Sequence, residues 1–156
     1  MKVRLLLACL SAAMLLPGSA FAGARQEAQV FMSPDPEELK FQQEWGYANA
    51  VVSGDSVTLS GVVAGLRPGE TDLRASYTRT FERIEGILRS AGVSWDDVVD
   101  ITSFHTDLAS QMPAIVAVKN RYVKPPYPSW TAIQVVRLIP DNGITEIKIV
   151  ARKPRR

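Results

Sequence analysis

A two-layer α+β domain, one mostly antiparallel sheet with two helices on one face, is the fold the sequence predicts. Three observations carry this. Strand-like runs and segments of helical period follow one another as β-β-α-β-α-β-β. The chain has 156 residues, 46% hydrophobic and 22% charged, which suits one small domain behind a leader. Finally, Ile133-Gln134-Val135-Val136 is apolar on both sides, whereas two helices cover only one sheet face. Oligomerisation through the open face is the economical solution.

At the N-terminus, Lys2 and Arg4 precede an apolar run from Leu5 to Leu16, which Pro17 and Gly18 break. Ala20-Phe21-Ala22 then supplies a small-x-small cleavage pattern. Residues 1–22 are thus predicted to be a secretory signal peptide, cleaved after Ala22. The apolar run is shorter than the roughly 20 residues that span a bilayer, so no stable membrane anchor is expected after cleavage. Leu6-Leu7-Ala8-Cys9 loosely resembles a lipoprotein signal, but Cys9 comes early and the apolar run continues past it. Cleavage removes Lys2, Arg4 and Cys9, leaving 16 basic against 16 acidic residues and no cysteine. A cysteine-free, neutral chain suits an oxidising compartment, and a periplasmic or secreted location is expected.

Residues 23–44 are polar, carry Pro34 and Pro36, and read as an N-terminal arm with little regular structure. The domain proper spans 45–152, followed by a basic tail over 153–156, with fraying expected from Arg152 onward. Residues 48–53 and 56–64 are strand-like and separated by Gly54-Asp55, a β-hairpin signal. Pro68 and Gly69 mark a loop. Leu73, Tyr77, Phe81, Ile84, Leu88 and Ala91 recur at steps of three and four and predict the strongest helix. Thr71 is its expected cap, Asp72 suits the positive end of its dipole, and Gly92 its stop. Ser94-Trp95-Asp96-Asp97 reads as a turn and residues 98–108 as a strand. A second helix is predicted over 110–122, with Pro113 in its first turn and Met112, Ile115, Val118 and Tyr122 as apolar positions. Pro125, Pro126 and Pro128 form a connector, and residues 130–138 and 144–151 are the last strands.

Composition excludes several function classes. The near balance of 18 basic and 16 acidic residues argues against a dedicated nucleic-acid binder. A single cysteine excludes a disulfide framework and a cysteine-based zinc site within one chain. A single histidine, His105, argues against a histidine-rich metal site and a two-histidine nuclease.

A series of short motifs runs through the domain. Tyr47 is followed by Gly54-Asp55-Ser56-Val57-Thr58-Leu59-Ser60-Gly61, then by Phe81, Ile84, Ile87-Leu88 and Ala91-Gly92. Asp96-Asp97-Val98-Val99, Phe104, Asp107-Leu108 and Asn120-Arg121-Tyr122 come next. Pro128-Ser129-Trp130-Thr131-Ala132, Arg137-Leu138 and Glu146-Ile147 close the series. In this order and spacing, the chain from about residue 47 to 152 resembles the Rid/YjgF family of reactive-intermediate (enamine/imine) deaminases, formerly named endoribonuclease L-PSP. The resemblance implies a chorismate-mutase-like subunit in a homotrimer, with small-molecule clefts between subunits. It further implies hydrolysis of 2-imino acids such as 2-iminopropanoate to 2-keto acids and ammonia, with no metal or organic cofactor.

Carried over by position, Tyr47 and Ser60 match pocket residues, and Glu146 matches the glutamate that positions or activates water. Trp130 stands where active deaminases have arginine. A guanidinium holds a carboxylate through two parallel charge-assisted hydrogen bonds, whereas an indole has one N–H and no charge. That departure speaks against the family's 2-iminopropanoate deaminase activity. It suggests a pocket remodelled for a neutral or aromatic ligand. Lys119 falls near the place of a pocket asparagine and reads as a replacement anion contact. Each residue also has a plainer reading. Glu146 reads as an interface carboxylate, Trp130 as an interface or core aromatic, Lys119 as a solvated helix charge and Tyr47 as a packing residue. His105 has no visible triad partners and reads as structural or surface. Three functions remain: a cofactor-free imine or enamine hydrolase, a non-catalytic trimer binding a metabolite or partner, and, least supported by a neutral mature chain, a ribonuclease.

Overall fold

One face of a seven-stranded sheet is buried by two long helices, and that burial fixes the rest of the architecture. The computed structural model describes residues 23–154; the signal-peptide reading of 1–22 lies outside them. In chain order the elements are α1 (Ala24–Glu27), β1 (Gln29–Phe31), α2 (Pro36–Trp45), β2 (Ala50–Ser53), β3 (Ser56–Leu59), β4 (Val62–Gly65), α3 (Leu73–Ser90), β5 (Val98–His105), α4 (Leu108–Tyr122), β6 (Ser129–Gln134) and β7 (Gly143–Arg152). The strand order is β1-β2-β3-β7-β5-β6, with β4 also paired to β7. Every pairing is antiparallel except β5 with β6. From β2 onward this is the predicted two-layer α+β order, with the second strand divided in two.

The division has a geometric cause. β3 pairs with the C-terminal half of β7 (Val57 opposite Ala151), and β4 with its N-terminal half (Val63 opposite Glu146). Ser60-Gly61 interrupts the strand between them. The core lies between the sheet and the helices. Tyr77, Phe81, Ile84 and Leu88 of α3 and Ile115 and Val118 of α4 are buried against Val57, Leu59, Ile101, Ile147 and Ile149. Each such side chain contributes about 1.5–3 kcal/mol on burial. Strand alternation puts Val63, Phe104, Ile133 and Glu146 on the opposite face, where Ile133 is 43% exposed.

Several boundaries differ from those the sequence predicts. The N-terminal arm is not irregular, for α2 forms within it. Asp35 accepts from the Glu38 amide at 2.9 Å, Pro36 occupies the first turn, and Gly46 ends the helix at φ 71°. Asp72, not Thr71, caps α3, accepting from the Arg74 amide at 2.9 Å. Asp107 likewise caps α4 through the Ser110 amide. β5 therefore stops at His105, α4 starts at Leu108, and Pro113 falls in its second turn. β6 ends at Gln134 rather than at residue 138. Arg152 does not fray: it ends β7 and meets Asp55 at 2.8 Å, while the Lys153 amide donates to the Asp55 carbonyl at 2.8 Å.

Candidate functional site

The strand interruption at Ser60-Gly61 opens a cleft of about 900 Å³ lined by Tyr47, Ser60, Gly61, Glu146, Phe41 and Trp45 among others. Ser60 is fixed where the strand breaks. Its amide donates to the Asn49 carbonyl at 3.0 Å, and its hydroxyl donates to the Ala48 carbonyl at 2.6 Å. Gly61 makes room for Glu146. A Cβ on Gly61 would sit 2.6 Å from Glu146 Cγ and closer still to the carboxylate, so any larger residue there must displace the Glu146 side chain. Glu146 is half-buried on β7, and among the described residues no side-chain hydrogen bond or ion pair holds its carboxylate. The carboxylate thus lines the cleft with no protein partner among the described residues.

The other wall comes from α2. Fully buried Gln42 pins this helix, accepting from the Ser33 amide at 2.8 Å and donating to Asn49 Oδ1 at 2.7 Å. Phe41 and Trp45 stack with centroids 4.8 Å apart, and Tyr47 meets Phe41 edge-on at 6.2 Å. Partial burial, and then the negative charge of Glu38, raise the Tyr47 phenol above its ordinary pKa. At the rim Arg83 of α3 pairs with Glu38 of α2.

Within one chain, the structure brings Tyr47, Ser60 and Glu146 together but does not bring Lys119 and Trp130 to them. Those two lie on the helix side of the sheet rim. Trp130 stands opposite Ile101 on β6, which among the described residues pairs only with β5. The Lys119 ammonium lies 4.8 Å from the centre of the Trp130 ring and donates to Asn120 Oδ1 at 3.0 Å. Lys119 is not the solvated helix charge of the plainer reading: it is 9% exposed, and burial lowers its pKa. No carboxylate pairs with it among the described residues. The ammonium's partners are thus an aromatic face and one neutral acceptor, with no counter-charge among the described residues.

A chain of buried polar groups holds the indole. Trp130 Nε1 donates to Ser103 Oγ at 2.9 Å, and Ser103 Oγ lies 2.9 Å from His105 Nε2. His105 Nδ1 faces Gln111 Oε1 at 3.1 Å, and Tyr77 and Thr145 complete the cluster, their hydroxyls 2.8 Å apart. One proton assignment satisfies all of these bonds. The indole donates to Ser103, the serine hydroxyl donates to Nε2, and a neutral imidazole donates from Nδ1 to Gln111. Burial lowers the His105 pKa, and it pushes Tyr77 up to about 12. His105 is thus structural, and fully buried. The one donor of Trp130 is spent inside the protein, so only its ring is left to meet a ligand.

Sequence reading did not single out Gly61, the α2 aromatics or the Ser103 anchor. The Asp35-Pro36 start and Gly46 stop were a legible helix signal for α2. The Gly61–Glu146 contact joins residues 85 positions apart in the chain, which no local pattern reports.

Residues 38–153 match the family model described as Endoribonuclease L-PSP. The RutC family protein YjgH of Escherichia coli is 40% identical over 114 residues, covering 71% of this chain and 86% of that protein. A RutC family protein of Haemophilus influenzae is 31% identical, covering 69% of this chain and 87% of its own length. Among solved structures, protein YjgH superposes with a TM-score of 0.68 at 37% identity, covering 81% of this chain and 96% of the other. Rv2704 from Mycobacterium tuberculosis, described as a member of the YjgF/YER057c/UK114 family, gives a TM-score of 0.69 at 25% identity, covering 80% of this chain and 98% of the other. These matches show that the chain belongs to the Rid/YjgF family.

Proposed function

We propose that this is an exported Rid-family protein that forms a homotrimer and binds a small molecule in a cleft between copies. There it hydrolyses an imine or enamine to a carbonyl compound and ammonia without a cofactor. The observation that carries this reading is the unpaired Glu146 carboxylate, seated against Gly61 and sharing a cleft with Tyr47 and Ser60. Hydrolysis of an imine needs one group that can act twice on protons. As water oxygen bonds to the imine carbon, Glu146 takes a water proton. It returns that proton to the imine nitrogen to give the carbinolamine, then carries the carbinolamine's hydroxyl proton to the same nitrogen. The C–N bond breaks, ammonia leaves and the carbonyl forms, so that one imine and one water give one carbonyl and one ammonia.

Assembly is supported by the separation of the site residues. Lys119 and Trp130 lie at the β6 rim, away from Glu146, and a cleft between copies is how the family resemblance would unite them. The exposed apolar Ile133 on the sheet face opposite α3 and α4 gives such an interface an energetic reason. Export is supported by the leader-like pattern of residues 1–22. RNA cleavage has less support, because the single histidine is fully buried and bonded on both ring nitrogens.

A second reading, a binding protein without turnover, is favoured by one observation: the Trp130 N–H is already bonded to Ser103, so this position cannot hold a carboxylate by hydrogen bonding. Clearance of 2-iminopropanoate, generated in situ and trapped as its semicarbazone, separates the readings. Clearance by the native protein above buffer supports the hydrolase. Clearance by Trp130→Arg alone supports the same machinery with a different natural substrate. Failure of both supports the binding protein.

A further inference from the structure

The α2 helix presents aromatic rings that the core does not use. Phe41 and Trp45 stand one helical turn apart, so both fall on one face, and Tyr47 follows just past the helix end at Gly46. None of the three belongs to the hydrophobic core. All of them line the cleft of Glu146, and they are 40%, 56% and 36% exposed. Aromatic side chains gain much from burial, so open rings gathered in one cleft mark a surface kept for a ligand. The helix that carries them is held at two points. Gln42 is fully buried and bonded to the Ser33 amide and to Asn49, and Glu38, one turn before it, pairs with Arg83 of α3.

Ring geometry says what fits this wall. Phe41 and Trp45 are already stacked, with 28° between their planes. With Phe41 against one face, Trp45 offers its open surface as the next step of an offset stack, whereas a cage for a cation turns several ring faces toward one point. Ile139 and Pro140 add apolar surface to the same cleft. Of the charged residues lining it, Glu38 and Arg83 pair with each other, which leaves Glu146 as the one unpaired charge among the described residues there.

We propose that Phe41 and Trp45, with Tyr47 beside them, are the specificity wall of this protein, and that its ligand carries a flat aromatic group that stacks there while the reacting carbon faces Glu146. This rests on the reading of the Glu146 cleft above and names the class of side group that the cleft selects. The preferred substrate is then the imine or enamine of an aromatic amino acid rather than 2-iminopropanoate, whose methyl group offers the rings almost no surface. A cleft of about 900 Å³ has room for such a molecule, since small-molecule sites span about 300–1,000 Å³.

Binding, rather than turnover, tests this. Isothermal titration of the purified protein compares phenylpyruvate with pyruvate, which has the same head group and lacks the ring. Phenylpyruvate should bind tighter by about tenfold or more, the gain expected from burying a phenyl-sized apolar group. The double variant Phe41→Ala/Trp45→Ala should erase that preference, and Trp45→Phe, which keeps a ring at the wall, should retain it. A circular-dichroism melt confirms that each variant folds. Sedimentation velocity reads the competing occupant, a second copy of the chain. A double variant that changes assembly state and keeps the preference overturns the proposal. Equal binding of the two probes by the native protein, or an undiminished preference in the folded double variant, overturns it as well. A phenylpyruvate preference without turnover of any imine would remove the hydrolase reading and leave this one standing. Turnover of 2-iminopropanoate with equal binding of the two probes would do the reverse.

Discussion

The side chain of Glu146 occupies the space that a Cβ on Gly61 would need. Two strands thus approach so closely at the interruption between β3 and β4 that a carboxylate fills the gap, and the cleft opens at that point. Gly61→Ala is therefore expected to push Glu146 off its position without replacing any titratable group. Imine clearance should fall by about tenfold or more, since small misplacements of a reacting group are costly. A Gly61→Ala variant with native clearance would show that this contact does not set the geometry.

Ser103 takes the proton of the Trp130 indole. Ser103→Ala removes that acceptor and leaves a part-buried N–H and His105 Nε2 each without a partner. A loss of about 1–3 kcal/mol in urea-denaturation stability is expected. A red shift of the tryptophan emission should accompany it as the indole loosens. Ser103→Thr, which keeps the hydroxyl, should preserve the emission.

Burial holds the folded-state pKa of His105 below the ordinary histidine value of about 6.5. As pH falls, the unfolded chain takes its proton first, so the unfolded state gains. The contribution of His105 is then complete above about pH 6.5 and is lost as pH falls through its lowered folded-state pKa, with a slope of at most about 1.4 kcal/mol per pH unit. The neighbours that face it, Ser103, Gln111 and Thr145, are neutral. Urea midpoints between pH 7.5 and pH 5 should fall for the native chain and stay flatter for His105→Gln.

Burial lowers the Lys119 pKa, and the ammonium has the Trp130 ring and Asn120 Oδ1 but no carboxylate to offset its desolvation among the described residues. Lys119→Met keeps the length of the stem and removes the charge. It should raise stability by about 0.5–2 kcal/mol, the ordinary gain when a functional compromise is relieved. A drop in the melting temperature would instead assign Lys119 a structural task.

Legibility in the sequence followed the range of the interactions. The helical period of α3 and the Gly54-Asp55 turn were readable because both are set by neighbours a few residues apart. The α4 boundary was missed by two residues because Asp107 competed as strand end and helix cap, and the cap won. Pro34 and Pro36 suggested an irregular arm, yet Pro36 in the first turn is a helix starter once Asp35 caps it. Tyr47, Ser60 and Glu146 could be named from the resemblance and do meet in one cleft. The Ser103–Trp130 and Gly61–Glu146 contacts join residues far apart in the chain, and only the folded sheet brings them together.

Glu146 is assigned the proton transfers of imine hydrolysis, and one ratio tests that assignment. The rate of imine clearance by the native protein is divided by that of Glu146→Gln, over a panel of imines generated in situ from different amino acids. At least one imine should show a ratio of about 100 or more, the usual worth of a positioned acid–base group. A ratio near one for every imine the native protein clears would contradict it.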